Sequence, residues 1–322
     1  MRIALIKMSS MGDVIHALPV VTDVLRAHPG AQIDWIIEPP FAPLARLHPG
    51  VADIIPVALR RWRRQWRQPQ TRAAFRAVRQ DMAARHYDLI LDLQGLLKSA
   101  WVACWAHGPR AGYTRACARE PLASWVYQRR YQVDMNVHAI EKMRSLAGQA
   151  LGFTPSGLPV FDLQAPAEPA EPVVDVAAPY WVFLHATSRA EKLWPAASAQ
   201  AFLQQAGSRG MPVLLPWGNE AERQAAHDLS AQAGHGTVLP ALDLGALAGL
   251  LARAEAVVGV DTGLTHLAAA LDRPVVALFA ATEAARYGPY WSAHARSLGQ
   301  PGQWPQADEV LTTIEQLLAN AS

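Results

Sequence analysis

The stretch AVVGVDTGLTHLAAAL, residues 256–271, decides the fold. Residues 256–261 are small and apolar up to Val260, end in Asp261, and read as a strand buried on both faces, which is the mark of a parallel sheet covered by helices. Thr262 and Gly263 then turn directly into a helix over 262–271, in which Leu264, Leu267 and Leu271 recur at helical spacing. A helix that starts where a strand ends presents unpaired N–H groups beyond the sheet edge, and those of Thr262, Gly263 and Leu264 suit an anion.

The same alternation extends outward in both directions. Towards the C-terminus lie a strand over 274–279 and an amphipathic helix over 307–318, the latter free to pack back on the N-terminal domain. Towards the N-terminus the reading gives strands over 180–185, 212–216 and 236–240, with helices over 196–209, 220–233 and 243–253. Residues 164–179, QAPAEPAEPVVDVAAP, interrupt the pattern with Ala and Pro, which resist a central strand, and read as a linker. Before it, strands fall at 2–7, 32–38, 53–57 and 88–93, with helices over 13–27 and 71–85. The expectation is therefore α/β: two Rossmann-like domains over 1–165 and 180–322, joined at 166–179, with their parallel sheets facing an interdomain cleft. Closure of that cleft around the substrates is part of the expectation.

Bulk properties narrow the class. The 322 residues carry a net charge of +2, 51% hydrophobic and 17% charged residues, which suits two packed cores and argues against nucleic acid as a partner. The two cysteines, Cys104 and Cys117, form no disulfide framework and read as free thiols in a reducing compartment. Lys7 interrupts the first apolar run, so the start does not read as a signal peptide, and no run reaches the roughly 18 apolar residues of a membrane span. A cytoplasmic protein able to touch a membrane surface is expected.

Several motifs carry chemistry. In SSMGD, residues 9–13, Gly12 permits a tight turn, and Asp13 either caps the following helix or faces the cleft as a general base. In HATSRAEKLWP, residues 185–195, Thr187 and Ser188 can donate to phosphate oxygens and Lys192 supplies a point charge; an ordinary polar loop is the plain alternative. Asp261 is an acceptor suited to sugar hydroxyls. His266 either faces the cleft or is a satisfied core histidine. In WGNEAE, residues 217–222, Glu222 suits a ribose diol or simply the dipole of its helix. In RRWRRQWRQ, residues 60–68, Arg60, Arg61, Arg63, Arg64 and Arg67 surround Trp62 and Trp66. Those tryptophans, four apart, share a face if helical, and the cluster fits an anionic membrane or a phosphorylated glycolipid, or else a solvated loop. No Asp-x-Asp clamp, zinc pattern, P-loop or nucleophile elbow occurs.

Taken together and in order, SSMGD, HATSRAEKLWP, GNEAE and GVDTGLTHLAAAL resemble the lipopolysaccharide heptosyltransferases of glycosyltransferase family 9, which have the GT-B fold, and in particular those adding the first heptose. The resemblance covers essentially the whole chain. It implies an inverting transfer of L-glycero-D-manno-heptose from ADP-L-glycero-D-manno-heptose to the first Kdo of Kdo2-lipid A, with no required cofactor and no metal. It implies a Gram-negative enzyme peripheral on the cytoplasmic face of the inner membrane. It makes Asp13 the base, its pKa raised by burial as the cleft closes. It places Thr187, Ser188 and Lys192 on the diphosphate and heptose, Glu222 on the ribose and Asp261 on a heptose hydroxyl. Thr262, Gly263 and Leu264 are placed on the distal phosphate, with His266 also in the donor set. Arg60, Arg61, Arg63 and Arg64 are placed on the acceptor. Ser188 stands where a second threonine is expected, with the hydroxyl retained. An enzyme adding the second heptose shares much of this pattern. A nucleotide-sugar epimerase or hydrolase, and a non-catalytic membrane scaffold, are the other readings.

Overall fold

A computed structural model describes residues 1–166, 179–187 and 189–321. The chain divides into two compact units, Met1–Asp162 and Leu163–Ser322. Residues 167–178, most of the expected linker, and Ser188 lie outside the described residues.

The first unit is built on β1 (Arg2–Ile6), β2 (Gln32–Ile37), β3 (Val51–Pro56), β4 (Leu89–Asp92), β5 (Arg110–Tyr113) and β6 (Arg129–Tyr131), in the order β3-β2-β1-β4-β5-β6. The second has β7 (Trp181–Leu184), β8 (Val213–Leu215), β9 (Thr237–Val238), β10 (Ala256–Val260), β11 (Val275–Leu278) and β12 (Ala295–Leu298), in the order β12-β11-β10-β7-β8-β9. All pairings are parallel. Listed from the opposite edge, the second order repeats the first, so each unit has one point where strand order reverses. It falls between β1 and β4 in the first unit and between β7 and β10 in the second. Ligands of open parallel sheets bind beyond the carboxyl ends of the strands at such points.

The central strands are continuous apolar runs because both faces are covered. β1 packs Ala4 and Ile6 into one core with Ile36, Ile90, Trp62 and Trp105, whereas β10 packs Val258 and Val260 with Phe183, Phe202 and Leu278. Gly259 is required within β10, because a Cβ there would collide with Thr265 Oγ1. That hydroxyl donates to Val260 O at 2.7 Å and ties the helix to the strand it follows.

The structure departs from the sequence reading at several elements. The helix expected over 13–27 is two helices, Met11–Ile15 and Leu18–Ala27, so Asp13 lies inside the first turn rather than ahead of it. β5, β6, β12 and the helices Leu97–Ala103 and Ala139–Leu151 were not anticipated, since their apolar runs are short or broken by charge. The final helix, Ala307–Ala321, buries Val310, Leu311, Ile314 and Leu317 in the core of the second unit.

Candidate functional site

In the first unit the reversal point is occupied by the loop that follows β1. Ser10 caps the helix Met11–Ile15, and Asp13 Oδ2 accepts from Ser10 N–H at 3.1 Å and from Ser10 Oγ at 2.8 Å. Lys7, buried at the carboxyl end of β1, brings Nζ to 3.4 Å from Asp13 Oδ1. The capping role and an electrostatically prepared carboxylate therefore coexist. Burial alone would raise the pKa of Asp13, as the sequence reading expected. The Lys7 charge, the Ser10 hydrogen bonds and Arg119 outweigh it and hold the carboxyl below its ordinary value, so Asp13 is ionised at neutral pH.

The loop after β4 braces this turn. Gln94 Oε1 accepts from Met8 N–H at 2.8 Å, and Lys98 Nζ donates to Ser9 Oγ at 3.0 Å. Gly95, at φ +65°, lets the loop turn so that Asp92 Oδ1 accepts from both Gln94 and Gly95 N–H. Burial raises the pKa of Asp92, against the hydrogen bonds from Tyr127, Ser99 and the turn. Lys7, Gln94 and Lys98 were missed by sequence reasoning. For Lys7 a signal existed: a charged residue closing an otherwise apolar strand.

The basic cluster is partly helical. The helix Leu59–Arg64 ends before Trp66, so the two tryptophans do not share an exposed helix face. Trp62 is core, packed edge-on to Phe75 and stacked on Trp105, whereas Trp66 is half-exposed against Phe75. Arg60, Arg63 and Arg64 line a pocket of ≈ 620 Å³, together with Lys98, Glu38, Trp66 and Trp101. Arg61 is not among its lining residues. Because Lys98 both lines the pocket and donates to Ser9, the pocket adjoins the loop that carries Asp13.

In the second unit the reversal point is centred on Asp261. Its Oδ2 accepts from Lys192 Nζ and Thr282 Oγ1, each at 2.6 Å, and its Oδ1 lies 3.4 Å from His266 Nε2. Burial opposes ionisation here, but the His266, Lys192 and Thr282 contacts win and hold the carboxyl far below the usual carboxylate range. Thr187 Oγ1 donates to Asp261 O at 3.4 Å. Lys192 is thus paired with a carboxylate in this structure, and His266 is a buried partner of Asp261. Thr262 is the N-cap of the helix Gly263–Ala270, so Thr262, Gly263 and Leu264 supply its first N–H groups.

Glu222 sits in the first turn of the helix Glu220–Ala233. Its Oε2 accepts from Gly218 N–H and its Oε1 from Asn219 Nδ2, each at 2.7 Å, which is the capping role. Its charge also acts on His185, at the end of β7, whose pKa is lowered mainly by burial. The second unit therefore brings Thr187, Lys192, Asp261, the Thr262–Leu264 turn and His266 together, and adds Thr282, which the sequence did not single out. Both cysteines are free thiols. Among the described residues no helix is long and apolar enough to cross a membrane.

Comparison with known proteins follows the same lines. The family model described as glycosyltransferase family 9 (heptosyltransferase) matches residues 75–318. Lipopolysaccharide heptosyltransferase 1 of Pseudomonas aeruginosa is 46% identical over 291 residues, covering 90% of this chain and 81% of that one. The structure of E. coli heptosyltransferase WaaC with ADP aligns with a TM-score of 0.88 at 36% identity, over 98% of this chain and 100% of that one. The same enzyme with ADP-2-deoxy-2-fluoro heptose gives 0.82 at 35% identity, over the full length of both.

Proposed function

The chain belongs to glycosyltransferase family 9, the heptosyltransferases, and on that premise we propose that it transfers L-glycero-D-manno-heptose from ADP-heptose to the first Kdo of Kdo2-lipid A, with inversion, in lipopolysaccharide inner-core synthesis. The observation that carries this reading lies within the first unit. An ionised carboxylate, Asp13, stands beside a cation-lined pocket, the two joined by Lys98. A base next to a pocket for an anionic substrate is what activation of an acidic-sugar hydroxyl requires.

In this mechanism the acceptor oxygen attacks the anomeric carbon, its proton passes to Asp13, and the bond to ADP breaks with the electron pair leaving on the diphosphate. Lys192 and the N–H groups of Thr262, Gly263 and Leu264 offset that charge. Thr187 and Ser188 donate to phosphate oxygens, Asp261 orients a heptose hydroxyl through its remaining lone pairs, and Glu222 holds the ribose. With the leaving-group charge carried by side chains and a helix terminus, turnover needs no metal and should survive a chelator. The Arg60, Arg63 and Arg64 side chains hold the acceptor's anionic groups. They also hold the protein at the cytoplasmic face of the inner membrane, a peripheral association that flotation with anionic vesicles tests.

The deciding assay pairs ADP-heptose with Kdo2-lipid A and, separately, with an acceptor that already bears one heptose. Transfer to the first alone is expected. Preference for the second would reassign the acceptor, and conversion of ADP-heptose without any acceptor would point to a hydrolase or epimerase.

A further inference from the structure

Apart from Glu38, the polar side chains lining the pocket of the first unit are all donors, a character that a sugar does not match. Arginine, lysine and indole groups donate hydrogen bonds and accept none. Of the lining side chains only Glu38 accepts, and one of its oxygens already takes Arg60 N–H at 3.4 Å. Trp62 is 3% exposed, and its Nε1–H has no partner among the described residues. A sugar ring brings as many hydroxyl protons as lone pairs and would leave those protons facing cations. A phosphate, a carboxylate or an acyl carbonyl brings acceptors only.

The rest of the wall is apolar. Phe75 stacks on Trp101 with ring centres 6.1 Å apart and meets Trp66 edge-on at 5.2 Å. Trp66 and Trp101 are 47% and 50% exposed, so the aromatic wall runs out to the surface. A volume of ≈ 620 Å³ is that of a ligand pocket, and an apolar wall with a few charged groups is the usual composition of one.

We propose that this pocket takes an acyl chain of the acceptor's lipid anchor. The chain lies against Phe75 and Trp101, and a neighbouring phosphate meets Arg60, Arg63 and Arg64. The proposal rests on the heptosyltransferase reading above, and it assigns to these aromatic residues a recognition role separate from that of the arginines. Lys98 connects the site to Ser9, so seating the chain sets the acceptor beside the loop of the base.

The test titrates the intact protein by calorimetry with monododecyl phosphate below its micellar concentration, alongside butyl phosphate and inorganic phosphate. Dodecyl phosphate is expected to bind at least about tenfold more tightly than butyl phosphate, because each buried methylene adds to affinity. Trp101→Ala, at a half-exposed position, and Phe75→Leu, which keeps most of the apolar contact, should each shrink that ratio. In parallel, KM for acylated and fully deacylated acceptor is measured in wild type and both variants. The wild-type preference for the acylated form should contract severalfold in the variants. Binding that does not depend on chain length, or a preference that survives both substitutions, overturns the proposal. So does loss of vesicle flotation in Trp101→Ala with acceptor preference intact, which would give the pocket to bilayer lipid. Failure to transfer heptose to either acceptor would instead sink the heptosyltransferase reading, and with it the acceptor assignment, whatever the alkyl phosphates show.

Discussion

Lys192 Nζ lies 2.6 Å from Asp261 Oδ2, in an ion pair that is largely buried beyond the ends of β7 and β10. In the proposed mechanism the lysine serves the donor's phosphates while sharing itself with that carboxylate. A charge-assisted hydrogen bond contributes about 1.5–3 kcal/mol, so Lys192→Ala should weaken ADP binding roughly ten- to hundredfold. Calorimetry with ADP and with the acceptor checks this. Equal losses for both ligands would remove the lysine from the donor side.

Asp261 also makes the second unit sensitive to acid. Its folded pKa lies below the ordinary aspartate value of about 3.9, so the stability it contributes is present above that value and is lost as pH falls through the folded one. Urea melts of the wild type should weaken below about pH 4 more steeply than those of Asp261→Asn. Parallel curves for the two proteins would show that the carboxylate does not govern the acid limb.

Asp13→Ala should lose at least about a hundredfold in turnover, the scale of a missing general base. Lys7→Met removes the charge that most lowers the Asp13 pKa, so the acidic limb of kcat/KM should move to higher pH. An unmoved limb in Lys7→Met would separate the observed titration from Asp13.

Within the basic cluster the residues should differ. Arg60→Ala and Lys98→Ala are expected to raise acceptor KM severalfold while leaving ADP affinity unchanged, whereas Arg61→Ala, outside the pocket lining, should do much less. Equal effects for Arg60→Ala and Arg61→Ala would mean that net charge, not the pocket, binds the acceptor.

Gly259→Ala should destabilise the second unit by about 1–3 kcal/mol, the usual cost of overpacking, because the new Cβ meets Thr265 Oγ1. A urea midpoint within error of wild type would show that the helix Gly263–Ala270 can shift away from β10 at no cost.

The sequence by itself determined the α/β class, the central strands and the place of the Asp13 and Asp261 turns. Those features rest on local patterning: a buried parallel strand must be apolar throughout, and a turn at its end must be small and polar. What only the tertiary structure decided is pairing at a distance. That Lys192 meets Asp261 and that Lys98 brings the Arg60 cluster to Ser9 depend on strands adjacent in the sheet but far apart in the chain. Trp62 and Trp66 show the same limit. Their spacing suggested one exposed face, but the helix ends at Arg64 and burial against Phe75 and Trp105 sent Trp62 into the core. Periodicity reports which residues avoid water, whereas the partner each one finds is set by packing that no local window contains.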